Sequence, residues 1–186
     1  MRILIADDEA LTRMGLRAIL RELGHSLAGS VADGVTALRL ARETRPDLAI
    51  LDIKMPGMDG LAVAEAISRE CPLPVVMLTA YSERELVERA AATETVQAYL
   101  VKPIREVDLT PTIELAVVRF AEWQALCQEA AGRQEALVTR ELVDRAKGQL
   151  MERDGLGERE AFLEIQHRAR RERRSMRQVA TEILRG

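Results

Sequence analysis

Five side chains could together move a phosphoryl group: Asp7, Asp8, Asp52, Thr79 and Lys102. Each stands at the end of a short apolar run, after Ile3–Ala6, Leu48–Leu51, Val75–Leu78 and Gln97–Val101. Short apolar runs bounded by turn residues read as buried parallel strands. An open α/β sheet does its chemistry just beyond the carboxyl ends of its strands. Alone, Asp52 reads as a strand-end acid capping a turn, Thr79 as an ordinary hydroxyl and Lys102 as a solvated lysine. Together they read differently. Three converging carboxylates repel one another unless a hard divalent cation lies between them, and an oxygen-only site with few protein ligands suits Mg²⁺. The cation and Lys102 would neutralise the equatorial phosphoryl oxygens, Thr79 would donate a hydrogen bond, and Asp52 would be the in-line nucleophile. The chain has neither a Gly-rich phosphate loop nor a GxGxxG pattern, so the donor is not a bound nucleotide.

The elements that must position these groups alternate. Strands are expected at Arg2–Ala6, Leu27–Val31, Leu48–Leu51, Val75–Leu78 and Gln97–Val101. Between them lie helical patterns. Leu11, Met14, Ala18 and Ile19 mark the first, stopped by Gly24, and Ala37, Leu38 and Ala41 the second. Leu61–Arg69 is the third and Glu83–Ala92 the fourth. Such alternation implies right-handed crossovers and a five-stranded, doubly wound parallel sheet covered on both faces.

Composition bounds the rest. Hydrophobic residues make up 47%, charged residues 31% and aromatics only 3%, which describes a globular protein with an aliphatic core. Residues before Glu122 carry a net charge of −4 and those from it onward +1, while Gln166–Gly186 hold seven Arg against two Glu. Different partners are expected for the two ends. Cys71 and Cys127 match no metal spacing and suit a reducing compartment. Arg2–Ala6 runs straight into acids rather than reading as a signal peptide, and no apolar run approaches membrane-spanning length. A cytoplasmic protein without membrane contact is expected.

The set Asp7-Asp8, Asp52, Met55–Gly60, Thr79-Ala80, Tyr99 and Lys102-Pro103 resembles the receiver domain of bacterial two-component response regulators, over Met1 to residue 120. The resemblance implies a flavodoxin-like fold with Asp52 as phosphoacceptor for a sensor histidine kinase. Asp8, Asp52 and the Lys54 carbonyl would hold Mg²⁺, with Asp7 assisting through water. Thr79 and Tyr99 would be the switch pair, Lys102 would contact the phosphoryl group, and Lys102-Pro103 would be cis. Such a chain is a phosphoacceptor that takes part in its own phosphorylation and dephosphorylation, not an enzyme.

A long helix should follow, with Asp108 as N-cap and Pro111 in its first turn. Leu109, Ile113, Ala116, Phe120, Trp123, Cys127 and Ala130 recur at alternating steps of four and three, with Leu137 following after a polar Gln134, a heptad-like seam. Residues 121–134 then form a linker, either a plain spacer or a dimer seam, with Gly132 a candidate hinge. The remaining residues, 135–186, show three helical patterns suited to a small all-α bundle. Val143, Ala146 and Leu150 face inward in the first, and Ala161, Phe162, Ile165 and Ala169 in the second. Ser175-Met176-Arg177-Gln178 is a capping box opening the third. Arg168, Arg170, Arg171, Arg173, Arg174 and Arg177 form a dense cationic run that only Glu172 interrupts, suited to phosphate recognition.

Ala146–Met151, Gly155, Glu160-Ala161-Phe162, Ala169 and Val179-Ala180 resemble the ANTAR domain, an RNA-binding antiterminator module, over Glu135 to Leu184. The resemblance implies binding of short RNA hairpins in leader transcripts, which blocks a terminator. Lys147 and the six arginines are the candidate RNA contacts, and, should the seam pair two chains, a homodimer would form on phosphorylation or RNA binding. A DNA-binding regulator using a helix-turn-helix, and a regulator docking an acidic protein through its arginines, are the competing readings.

Overall fold

The computed structural model describes residues 1–80 and 94–185. The helix expected over Glu83–Ala92 lies outside the described residues. The elements are β1 (Arg2–Ala6), α1 (Ala10–Glu22), β2 (Ser26–Val31), α2 (Gly34–Thr44), β3 (Leu48–Asp52), α3 (Gly60–Glu70), β4 (Val75–Thr79) and β5 (Val96–Val101). Then come α4 (Glu106–Asp154), α5 (Glu158–Glu172) and α6 (Met176–Ile183). The chain divides into two compact units, Met1–Gln124 and Ala125–Gly186.

In the first unit the strands pair in parallel in the order β2-β1-β3-β4-β5. This is the flavodoxin-like order, whose reversal point lies between β1 and β3. Every residue of β3 and β4 is buried, as expected of strands covered on both faces. One face carries Leu4, Ala6, Ala49, Leu51 and Met77 against α2 and α3. The other carries Ile3, Ile5, Ile50 and Leu78 against α1 and the start of α4. Successive strand residues alternate between the two cores because a strand's side chains alternate in direction.

Two expectations need correction here. In α1 the buried residues are Leu16 and Leu20, whereas Leu11 is 83% and Met14 64% exposed. The stripe that meets the sheet is Leu16–Ile19–Leu20–Leu23, on a different face of the helix from Leu11, Met14 and Ala18. Helix α4 begins at Glu106, so Asp108 is inside its first turn rather than its cap, and the amides of Asp108 and Leu109 donate to the Arg105 carbonyl. The Asp108 carboxylate instead takes a bidentate bond from Arg105 at 2.6 and 3.0 Å.

In the second unit the end of α4 is itself the first bundle helix, continuous through Gly132 rather than broken there. Val143, Ala146 and Leu150 pack with Ala161, Ile165 and Ala169 of α5 and Val179, Ala180 and Ile183 of α6. Phe162, expected inward, is 39% exposed, because Ala161, Ile165 and Ala169 take the i, i+4, i+8 stripe that faces the bundle. Gly155 ends α4 at φ 68°, a left-handed conformation glycine adopts without strain. The Ser175–Gln178 box forms as expected: Gln178 N donates to Ser175 Oγ at 3.2 Å and Ser175 N to Gln178 Oε1 at 2.9 Å. At α5, Gly157 N donates to the Glu160 carboxylate at 2.9 Å, so glycine caps without a side chain of its own.

Candidate functional site

Strand register brings the first site together. Ala6 pairs with Leu51, so the next residues, Asp7 and Asp52, emerge side by side. Thr79 pairs with Val101, which sets Lys102 beyond it, and the Lys102 amide donates to the Thr79 carbonyl at 2.9 Å. Lys102-Pro103 is cis, as expected. Asp7 is fully buried and Asp52 and Thr79 nearly so, while Asp8 is exposed. One carboxylate oxygen of each of Asp7, Asp8 and Asp52 lies within 4.8 Å of the others.

Lys102 holds this cluster shut. Its Nζ lies 3.0 Å from Asp52 Oδ2, 2.9 Å from Asp7 Oδ2 and 3.8 Å from Glu9 Oε2. Burial opposes its charge, but hydrogen bonds and attraction from Asp7 and Asp52 outweigh that and hold its pKa above the ordinary lysine value. Burial pushes the Asp52 carboxyl up, with the Lys102 hydrogen bond and charge opposing and the charges of Asp7 and Asp8 adding to the rise. The bond to Asp52 is aligned as a hydrogen bond. The 2.9 Å contact from the Lys102 ammonium is the pairing that buried Asp7 Oδ2 has, with no other hydrogen-bond donor to it among the described residues. A buried carboxylate oxygen met by a lysine that can move away, beside two more carboxylates, is what a divalent cation satisfies. The residues therefore fit Mg²⁺. A cavity of about 290 Å³ opens between Asp8, Glu9, Asp52, Lys54, Ala80 and Lys102.

Tyr99 is half-buried, and burial raises its phenol pKa. Thr79 Oγ1 donates to the Ala80 carbonyl at 3.0 Å. Three further residues, without a role among the expected site residues, position this site. Arg13 donates to the carbonyls of Asp7 and Asp8 at 2.7 and 3.0 Å, pinning the acidic loop from α1. A Cβ on Gly60 would lie 2.0 Å from the Asp52 carbonyl oxygen, and one on Gly34 would lie 2.1 Å from that of Met58. Only glycine lets the loop after β3 close this tightly. Arg13 announces itself as a base one turn beyond the acids; the glycines give no signal beyond their type.

The second charged cluster, in Ala125–Gly186, is partly spent on itself. Arg174 pairs with Glu172 at 3.1 Å and with Glu182 by a very short contact. Arg168 reaches Glu182 at 3.2 Å and Glu172 at 3.6 Å. The hydrogen bond from Arg174 holds the Glu182 carboxyl below its ordinary value. Glu182 comes from α6, outside the run that the sequence singles out. Arg171 lies 3.7 Å from Glu172 and Arg177 3.7 Å from Glu135. Among the described residues Arg170 and Arg173 make no ion pair, and Arg173 caps α5 at φ 53°. Lys147 is tied to Asp144 at 2.9 Å and Glu158 at 3.0 Å, bridging α4 to α5 with its side chain only 16% exposed.

A flavodoxin-like sheet with an acidic crevice at its reversal point, followed by a cationic helical unit, defines the class: an α/β signalling domain with a helical output domain. Residues 3–114 match the response regulator receiver domain and residues 131–184 the ANTAR domain. The chain is 49% identical over 183 residues to the transcriptional regulatory protein PdtaR of Mycobacterium tuberculosis, covering 98% of this chain and 89% of that protein. Its fold resembles the receiver domain of a modulated diguanylate cyclase from Desulfovibrio desulfuricans, at 32% identity and TM-score 0.59, over 64% of this chain and 94% of that one. It also resembles the REC domain of AraT, a response regulator from Geobacillus stearothermophilus, at 30% identity and TM-score 0.59, over 66% and 97%. The chain belongs to the two-component response regulators that join a receiver domain to an ANTAR domain, with ANTAR-type RNA-binding regulation. Neither matched family is an enzyme family. Among the described residues no helix is long and apolar enough to cross a membrane.

Proposed function

We propose that Asp52 accepts a phosphoryl group from the phosphohistidine of a sensor kinase in the cytoplasm and that this controls binding of leader-transcript hairpins by the ANTAR domain. The observation that carries the reading is the Lys102 ammonium shared between buried Asp52 and Asp7 at the strand ends. Asp8, Asp52 and the Lys54 carbonyl would hold Mg²⁺, with Asp7 acting through water. The ion, when bound, supplies positive charge to the phosphoryl oxygens. An Asp52 oxygen forms the new O–P bond while the P–N bond breaks, and the electron pair returns to the imidazole nitrogen. Lys102 leaves its carboxylate partners to meet the incoming phosphoryl oxygens. The product bears roughly −1.5 to −2 charges by analogy with other phosphorylated side chains. That charge draws the Thr79 hydroxyl from the Ala80 carbonyl and turns Tyr99 inward. Asp52 thus takes part in its own phosphorylation; in dephosphorylation a water oxygen bonds to the phosphorus, the Asp52 O–P bond breaks, and inorganic phosphate leaves with the carboxylate restored.

On the output side residues 1–120 act as receiver, 121–134 as linker and 135–186 as RNA-binding domain. Every residue of 125–137 is exposed, including Leu126 at 65% and Leu137 at 57%. A lone helix of this length is marginal in water. A second copy of the chain, paired along Cys127, Ala130 and Leu137, would cover it on phosphorylation or RNA binding.

The test is hairpin binding with and without acetyl phosphate. Phosphorylated wild type is expected to bind a leader hairpin about tenfold tighter than the untreated protein, a difference of about 1.4 kcal/mol. Asp52→Asn is expected to take up no phosphate and show no response, and duplex DNA should compete poorly at moderate salt. Because burial raises the Asp52 carboxyl, phosphate uptake should fall on acidification at a higher pH than an exposed aspartate would show. Equal hairpin affinity with and without the donor would sink the coupling.

A further inference from the structure

The second unit carries a groove of about 660 Å³. One wall is the face of α4 bearing Ala136, Thr139 and Val143; the other is Phe162 of α5 with Met176 at the start of α6. Its size falls in the range of small-ligand sites. Phe162 is the sole aromatic residue after Trp123, and it sits 39% exposed in the groove wall. The bundle core closes without it, on Ala161, Ile165 and Ala169.

The rim is charged in an informative way. Arg140, Lys147 and Arg177 line the groove along with Glu135 and Asp144. Both acids already face cations: Glu135 meets Arg177 at 3.7 Å, and Asp144 meets Lys147 at 2.9 Å and Arg140 at 4.0 Å. The two guanidinium contacts are long and exposed, so those groups can swing to an anion with little loss. Arg173, without an ion pair among the described residues, stands two residues before Ser175 of the groove lining. An apolar slot with one aromatic face and mobile guanidiniums at its mouth matches a flat ring attached to a phosphodiester. Unpaired bases of RNA loops bind aromatic faces in this way while arginines take the backbone.

Resting on the RNA-binding reading above, we infer that this groove seats an unpaired nucleobase of an RNA loop, stacked on Phe162 with its flanking phosphates on Arg177 and Arg140. Lys147 then acts as the pin that holds α5 against α4 and sets the groove width, rather than as a phosphate contact. The duplex stem lies outside the groove.

The experiment uses the full-length phosphorylated chain and two probes: a hairpin pool with one fixed stem and a randomised loop, and the same stem as a blunt duplex. Wild type is expected to favour the loop pool. Phe162→Leu keeps apolar bulk but loses the stacking face, and should bind the loop pool about tenfold more weakly while duplex affinity is unchanged. Phe162→Trp should retain loop binding. Circular dichroism and sedimentation on each variant report folding and oligomeric state. Equal weakening toward both probes, or no change in Phe162→Leu, overturns the base-stacking site while the RNA reading survives. Loss of self-association in Phe162→Leu, with hairpin binding falling in step, assigns the groove to a second copy and also overturns it. Wild-type binding to neither probe overturns this inference together with the reading it rests on.

Discussion

The two charged clusters are built in opposite ways. At the strand ends Asp7, Asp52 and Lys102 are locked by parallel register, with the Lys102 side chain 19% and the Asp52 side chain 7% exposed. On the bundle, Arg174 and Glu182 have side chains 37% and 48% exposed, and they pair between the turn after α5 and helix α6. Buried charges in a fixed frame are expensive to isolate and suited to chemistry. Exposed charges on rotatable side chains contribute little to stability and suit a large polyanion that can trade places with them. On the proposed function, one cluster would be a reaction site held ready, and the other a surface whose own carboxylates occupy part of it until a better anion arrives.

Truncating the central cation of each cluster separates these cases most sharply. Lys102→Ala leaves two buried carboxylates facing each other with Asp8 nearby. It is expected to lower unfolding free energy by about 3 kcal/mol, the low end of the range for removing one partner of a buried ion pair. It should also slow phosphate uptake, because the phosphoryl oxygens lose their lysine. Arg174→Ala should move the melting temperature hardly at all, since Glu172 and Glu182 turn to water. Urea titration of both variants makes the comparison, and equal destabilisation would erase the distinction.

Divalent cation is the next probe. Without it the acid cluster is a liability, and the sign follows from Asp52. Its folded pKa lies above 3.8, so stability from its protonation is complete below that value and lost as pH rises through the folded pKa. Near neutral pH in chelator, Asp52→Asn is therefore expected to melt higher than wild type. Saturating Mg²⁺ should raise wild-type stability by about 2.7 kcal/mol at a hundredfold excess over its dissociation constant. Asp8→Asn should lose most of that gain. A thermal shift that survives in Asp8→Asn would place the ion elsewhere.

The same contrast explains what could be read from residue order alone. Strand positions were legible because an apolar run and the acid after it fix where a side chain emerges; Asp7, Asp8, Asp52, Thr79 and Lys102 all stand at strand ends. Helix faces were less legible. Leu11 and Met14 share a helical spacing with Leu16 and Leu20, and only the sheet's position decides which stripe is buried. Phe162 looks like core by type, yet three small or β-branched neighbours fill the core first. Glu182 lies ten residues from Glu172, and its role depends on α6 folding back beside α5. Gly34 and Gly60 act through the space they leave empty, which no side-chain pattern records.

The smallest expected effect tests the polyanion half of the comparison. Glu182 accepts from both Arg168 and Arg174, so in the free protein two guanidiniums are part-neutralised. An RNA phosphate reaching this side of α6 must first displace that carboxylate. Glu182→Gln keeps the shape of the side chain and removes its charge. Both arginines then keep only Glu172 as an ion-pair partner, and hairpin affinity should rise a few-fold at low salt. The sharper readout is the dependence of binding on salt. Each additional neutralised phosphate steepens the slope of log affinity against log salt by about 0.7 to 0.9, so the variant should gain about one such step. A rise in affinity with an unchanged slope would mean that the glutamate acts on the fold of the bundle. An unchanged slope and unchanged affinity would place the RNA backbone on Arg140, Arg170, Arg173 and Arg177, leaving Arg168 and Arg174 as the struts that hold α6 to α5 and to the turn between them.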